Sequence, residues 1–130
     1  MRSEFDKTPH EVRYSIPLKS KHEYQLQRTQ GECLVAAGLP EKATAIINRT
    51  GVDPRPGDLV WVDNHLGTIH GFIKQVKSFE NGELLVTTNY EDPSRNFEFY
   101  ATTYYGVVEF AFNALGDLCY KREEQNDEQE

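Results

Sequence analysis

The sequence predicts a mostly β chain folded as one small, partly open barrel of coiled sheets, and three observations carry that prediction. Short apolar runs recur between close-set glycines, prolines and asparagines, the pattern of many short strands. Asn81-Gly82 stands between two such runs, and a type I′ hairpin turn needs positive φ at both central residues. Aromatic residues make up 12% of the 130 residues, which argues against disorder over most of the length. A chain of this size suits a single domain with one core.

Residues 1–31 read as an irregular N-terminal arm. Val12, Tyr14 and Ile16 alternate and fit an edge strand that stops at Pro17. The stretch Lys19 to Gly31 fits either a short helix or an extended arm, and the pattern does not choose between them. The β domain is expected over 32–120. It opens on the apolar run Cys33 to Ala37, which Gly38 and Pro40 bring to a stop, and continues with a short strand at Thr44 to Asn48. Gly51 to Asp58 holds two prolines and two glycines and cannot continue a helix or a central strand. Leu59-Val60-Trp61-Val62 has no polar alternation, so it predicts a strand covered on both faces.

His65 to Gly71 reads as a turn with two glycines, and Gly71 to Phe79 as a long strand. Beyond the Asn81-Gly82 turn, Glu83 to Thr88 pairs back, and Tyr90 to Asn96 is a polar loop. Phe97 to Tyr100 and Tyr105 to Phe112 give two further strands, and Asn113 to Gly116 turns the chain into Asp117 to Tyr120. Residues 121–130 carry five acidic and two basic side chains and no apolar one, and are expected to be a disordered acidic tail.

Charge and motifs narrow the function classes. A net charge of −7 is the opposite of the basic footprint that grips a phosphate backbone, so direct nucleic-acid binding is disfavoured. No run approaches the roughly twenty apolar residues of a spanning helix, and the polar start of the chain does not read as a signal peptide. A cytoplasmic setting is expected, with Cys33 and Cys119 both free thiols. Asn48-Arg49-Thr50 matches a glycosylation acceptor, which has no meaning in that setting.

Asp63, His65 and His70 cluster around a glycine-containing turn, but two histidines on a loop are ordinarily surface residues, and no metal or other cofactor is expected. Glu91, Asp92 and Glu98 read as solvated loop charge. The last long strand is apolar on both sides, with Val108, Phe110 and Phe112 on one and Val107 on the other. It therefore lies between layers or at a subunit interface.

Three patterns fall in one order along the chain: Val35-Ala36-Ala37-Gly38-Leu39-Pro40, then Pro56-Gly57-Asp58-Leu59-Val60-Trp61-Val62-Asp63, then Ile73-Lys74-Gln75-Val76 with its hairpin, Thr88-Asn89-Tyr90 and Tyr105-Gly106-Val107-Val108. Together, over roughly residues 33–120, they resemble the C-terminal domains of LexA-type repressors, phage repressors and UmuD-type proteins, which share a fold with signal peptidases. The resemblance implies a serine nucleophile, a lysine general base and self-cleavage at an Ala-Gly or Cys-Gly bond. Lys74 matches the lysine, and Ala37–Gly38 matches the cleaved bond.

The serine has no match, because Arg49 to Pro56 contains neither Ser nor Met and is shorter than the family's stretch. Thr50 is the only hydroxyl nearby, and threonine nucleophiles usually depend on an N-terminal amine as base. Without a hydroxyl to activate, Lys74 is either a relic or a solvated strand lysine beside Lys77.

The expectation is a catalytically inactive relative that regulates by protein contact, pairing with itself or with a LexA-like repressor through Val107, Val108, Phe110 and Phe112. Residues 1–31 are too few for the helix-turn-helix domain of such repressors, which takes about sixty residues. A self-cleaving serine/threonine–lysine peptidase and a small-ligand-binding barrel are the alternatives. Cleavage after Ala37 would mark the first. A groove of exposed aromatics, with a thermal shift on adding ligand, would mark the second.

Overall fold

The computed structural model describes residues 23–29, 31–63 and 72–123. Val12, Tyr14 and Ile16, the turn from His65 to Gly71 and the acidic stretch from residue 124 lie outside the described residues. Among the described residues eight strands follow in chain order: β1 (Tyr24–Arg28), β2 (Thr44–Asn48), β3 (Leu59–Asp63), β4 (Phe72–Glu80), β5 (Glu83–Thr87), β6 (Glu98–Tyr100), β7 (Thr103–Phe112) and β8 (Leu118–Lys121). They form one antiparallel sheet that is not closed, in the order β1-β2-β7-β3-β4-β5-β6, with β8 also paired to β7. The mostly β expectation holds at that level.

β7 organises the sheet. Along one edge it pairs first with β3, through Val60 opposite Val107 and Trp61 opposite Gly106, and then with β8, through Phe110 opposite Lys121. Its other edge is taken by β2, with Asn48 opposite Val107 and Ile46 opposite Phe110. A bulge lies within the β2–β7 ladder, between Ile46 and Ile47. Such a bulge leaves an extra residue unpaired and sharpens the local twist, here at Glu109.

The missing alternation in β3 and β7 follows from burial on both faces. Leu59, Ile73, Val108 and Ala111 join Leu34, Leu39, Ala45 and Ile47 in one core cluster. Val60, Val62, Val76, Leu84, Val86 and Val107 form a second cluster, with Phe99 and Tyr104 packed against it. Each large aliphatic side chain so enclosed contributes about 1.5–3 kcal/mol relative to exposure. The two-sided β7 therefore lies between layers of its own chain.

The Asn81-Gly82 turn joins β4 to β5, with φ of 55° and 79° at the two residues, as a type I′ turn requires. Between Lys19 and Gly31, where helix and extended arm stood open, the described residues form the strand β1. The run Cys33 to Gly38 makes one turn of 3₁₀-helix at Val35–Ala37, closed by Gly38 at φ 97°. That turn lays Leu34 and Leu39 over the first core cluster.

β8 runs through Lys121, and the Arg122 side chain is mostly enclosed, at 12% exposure. A charged stretch had read as solvated because its buried partner lies 64 positions away.

Candidate functional site

Lys74 lies on β4 opposite Val60 and is only 9% exposed. Its Nζ donates to Cys33 Sγ at 3.4 Å and sits 5.4 Å from the centre of the Phe72 ring. The solvated strand lysine belongs instead to Lys77, which is exposed and paired with Glu98. The sequence offered no signal for the Cys33–Lys74 contact, which spans 41 positions and depends on how the 31–43 segment folds back.

Thr50 does not meet Lys74. It follows β2, and its Oγ1 accepts from the Glu23 N–H at 2.9 Å. The pairing path from Asn48 through Val107 and Val60 to Lys74 crosses three strand spacings, about 14 Å along the sheet. The Ala37–Gly38 bond sits inside the 3₁₀ turn, where Ala37 N–H donates to Leu34 C=O at 2.9 Å and Gly38 N–H to Val35 C=O at 3.0 Å. The structure thus brings a sulfur, rather than a hydroxyl, to the lysine of the resembled family.

The remaining candidates have local partners. Tyr105 O–H donates to Asp63 Oδ2 at 3.2 Å, while His65 and His70 lie outside the described residues. Among the described residues no three His, Cys, Asp or Glu side chains group as metal ligands. Asp92 caps the turn Pro93–Arg95, accepting from Ser94 Oγ–H and N–H, and these hydrogen bonds hold its carboxyl below the usual range. Glu91 is exposed. Cys119 Sγ donates to the Ala111 carbonyl at 3.5 Å, and burial pushes its thiol up.

A buried polar network joins the Pro56-Gly57-Asp58 turn to β7 and β8. Arg122 grips Asp58 side-on, with Nε to Oδ1 at 3.0 Å and Nη2 to Oδ2 at 2.9 Å, a bidentate pair. Asp58 Oδ2 also accepts from the Arg55 N–H at 2.7 Å. Glu109, the bulged residue of β7, accepts from Asn48 Nδ2 at 3.2 Å and lies 3.9 Å from Arg122. An open cleft of about 480 Å³ beside this network is lined by Arg55, Asp58, Tyr120, Lys121 and Glu123. Its arginine is engaged by the chain itself, since Arg55 Nη2 donates to the Glu123 carbonyl at 2.6 Å. The network therefore anchors β8 to the turn.

Tyr104 closes the same region, its O–H donating to the Val52 carbonyl at 2.6 Å. Burial first, then the carboxylates of Asp58, Asp53 and Glu109, push its phenol up to about 12, against the opposing charge of Arg122. An unfolded tyrosine titrates near 10. The folded chain therefore keeps a proton that the unfolded chain loses, and stability that is complete below pH 10 falls as pH rises towards 12. Urea midpoints measured across that window are expected to decline, and Tyr104→Phe is expected to flatten the decline. An identical slope in the variant would refute this assignment. Tyr120 is shifted the same way, chiefly by burial, and keeps part of the slope.

The four expected interface residues separate. Val107 and Val108 are fully enclosed, one in each core cluster, and offer nothing to a partner. They misled because a strand buried on both faces by a coiled sheet has the same apolar pattern as one at an interface. Phe110 and Phe112 are half-buried on the other face from Ala111. Directly opposed residues share a face, so Leu26, Ile46 and Phe110 form one row across β1, β2 and β7, with Phe112 and Leu118 beside it. Leu26 is 64% and Leu118 39% exposed, Ile46 is buried, and β1 stands at one end of the strand order.

Among the described residues no helix is long and apolar enough to cross a membrane. No protein-family model, curated protein or solved structure matches this chain.

Proposed function

We propose that this chain is a catalytically silent relative of the LexA and signal-peptidase fold that regulates by protein contact, pairing with a second copy of itself or with a repressor domain of that fold. The observation that carries the reading is the exposed apolar pair Leu26 and Leu118, which share one sheet face with the half-buried Phe110 and Phe112. Apolar side chains exposed together on one sheet face gain by being covered in a contact with another protein surface.

Sedimentation equilibrium over a wide concentration range tests this. Self-association, or association with a LexA-type domain, is expected, and Leu26→Lys is expected to weaken it at least tenfold while leaving the unfolding free energy within about 0.5 kcal/mol of the parent. A chain that stays monomeric and ignores such a domain would sink the reading.

The competing reading is autocleavage. The observation in its favour is that Cys33 Sγ, a nucleophile type, lies 3.4 Å from Lys74 Nζ. Intact mass after alkaline incubation decides it, since a fragment beginning at Gly38 that Lys74→Ala lacks would restore the peptidase.

A further inference from the structure

Two ends of the Cys33–Lys74 contact are held by one residue. Asn89 N–H donates to the Cys33 carbonyl at 2.6 Å, and the Asn89 carbonyl accepts from Ala36 N–H at 3.0 Å. Asn89 Nδ2 donates to Gln75 Oε1 at 2.9 Å, and Gln75 is the neighbour of Lys74 on β4. The thiol is therefore placed against the amine by backbone and side-chain hydrogen bonds on both sides. Lys74 has little freedom to leave, being 9% exposed with its stem enclosed. Cys33 is half-buried rather than enclosed, and hydrogen peroxide is small.

We propose that Cys33 and Lys74 form a redox cross-linking site, in which a hydroperoxide oxidises the thiol and the lysine nitrogen captures the product. In the first step the thiol takes one oxygen from hydrogen peroxide: the O–O bond breaks, sulfur loses two electrons, and a sulfenic acid and water result. In the second, the lysine nitrogen releases a proton to solvent and attacks sulfur. The S–O bond breaks, the oxygen leaves as water, and an S–N bond remains. A thiol reductant returns both side chains. Cys119 provides the internal contrast, because its sulfur faces the Ala111 carbonyl.

The link would staple the segment carrying Leu34 and Leu39 to β4, closing a loop of 41 positions over the first core cluster. Closing a loop of that length is expected to raise the thermal midpoint by on the order of 10 °C. The site is thus a switch between a hinged and a locked cover.

The test treats the folded full-length chain with hydrogen peroxide, then measures intact mass and maps peptides. A species about 2 Da lighter than the untreated chain is expected, with the Cys33 and Lys74 peptides joined and the link reversed by dithiothreitol. Oxidation at Met1, the one methionine, adds oxygen and does not imitate a loss of mass. Cys33→Ser and Lys74→Arg should each abolish the species, and Cys119→Ser should retain it. Oxygen additions at Cys33 with no joined peptide in the folded parent chain would overturn the proposal. So would a link formed equally well in concentrated urea, where the fold no longer sets the contact.

Discussion

Gly106→Ala is expected to cost about 3 kcal/mol or more, the largest loss from adding a single methyl group at any described glycine. A Cβ built on Gly106 would stand 2.5 Å from the Asn48 carbonyl oxygen and 2.7 Å from Ile47 Cγ2. Neither neighbour can yield cheaply. Asn48 is in the β2–β7 ladder opposite Val107, and Ile47 is wholly enclosed in the first core cluster. The added methyl must therefore push β2 away from β7 at Gly106. A domain of this size holds only about 5–15 kcal/mol in total. Urea unfolding followed by the fluorescence of Trp61, the one tryptophan, should show a midpoint lower by about 1–2 M. Gly82→Ala is the control, since nothing lies within 4 Å of its added Cβ and only the left-handed φ of 79° is disfavoured. That control should cost about 1 kcal/mol. Equal losses at the two glycines would show that crowding between β2 and β7 is not what Gly106 relieves.

Asp58→Asn is expected to lose about 3–5 kcal/mol, because it strands a mostly buried guanidinium. Asp58 is 5% exposed and accepts from both Arg122 and the Arg55 N–H. An asparagine amide can offer one oxygen to the fork but turns a donor towards the other nitrogen. Arg122→Met is expected to cost less, since the Arg55 guanidinium remains 3.7 Å from Asp58 Oδ1. The double variant should be more stable than the sum of the singles implies, with a coupling of about 2 kcal/mol. Moderate salt should change the parent's stability little, as buried pairs are poorly screened. Additive losses in the cycle would mean that the two side chains act independently.

The parts of this fold that could be read from the sequence are those decided locally. The hairpin at Asn81-Gly82 follows from the φ angles those two residues accept, and Thr44–Asn48 and Leu59–Asp63 follow from short β-branched runs between turn residues. The alternation Tyr24-Gln25-Leu26-Gln27 has only two apolar positions, too few to decide between strand and helix alone, and the strand is selected by pairing with β2. The site was harder still. Lys74 looked like its exposed neighbour Lys77, and only the fold-back of Cys33 distinguishes them. Arg122 stands in a run of charges that begins at Lys121, and its role as the partner of Asp58 depends on a contact that no local pattern encodes. The Pro56-Gly57-Asp58 turn was recognised as a turn, but its aspartate also secures a strand more than sixty positions further on.

β7 also dictates when this chain can fold. β1 and β2 on one side, and β3 to β6 on the other, share no ladder among the described residues except through β7. As the chain is synthesised, β2 and β3 each emerge with an edge that stays unsatisfied until Thr103 to Phe112 has followed. The β4–β5 hairpin can close alone, but the sheet cannot assemble around an absent centre. Folding is thus delayed to a late, cooperative step dominated by distant pairings, which are slow to form and leave apolar edges open to neighbours while they wait. The strand that gives the finished protein its cohesion is the one for which a nascent chain most needs protection.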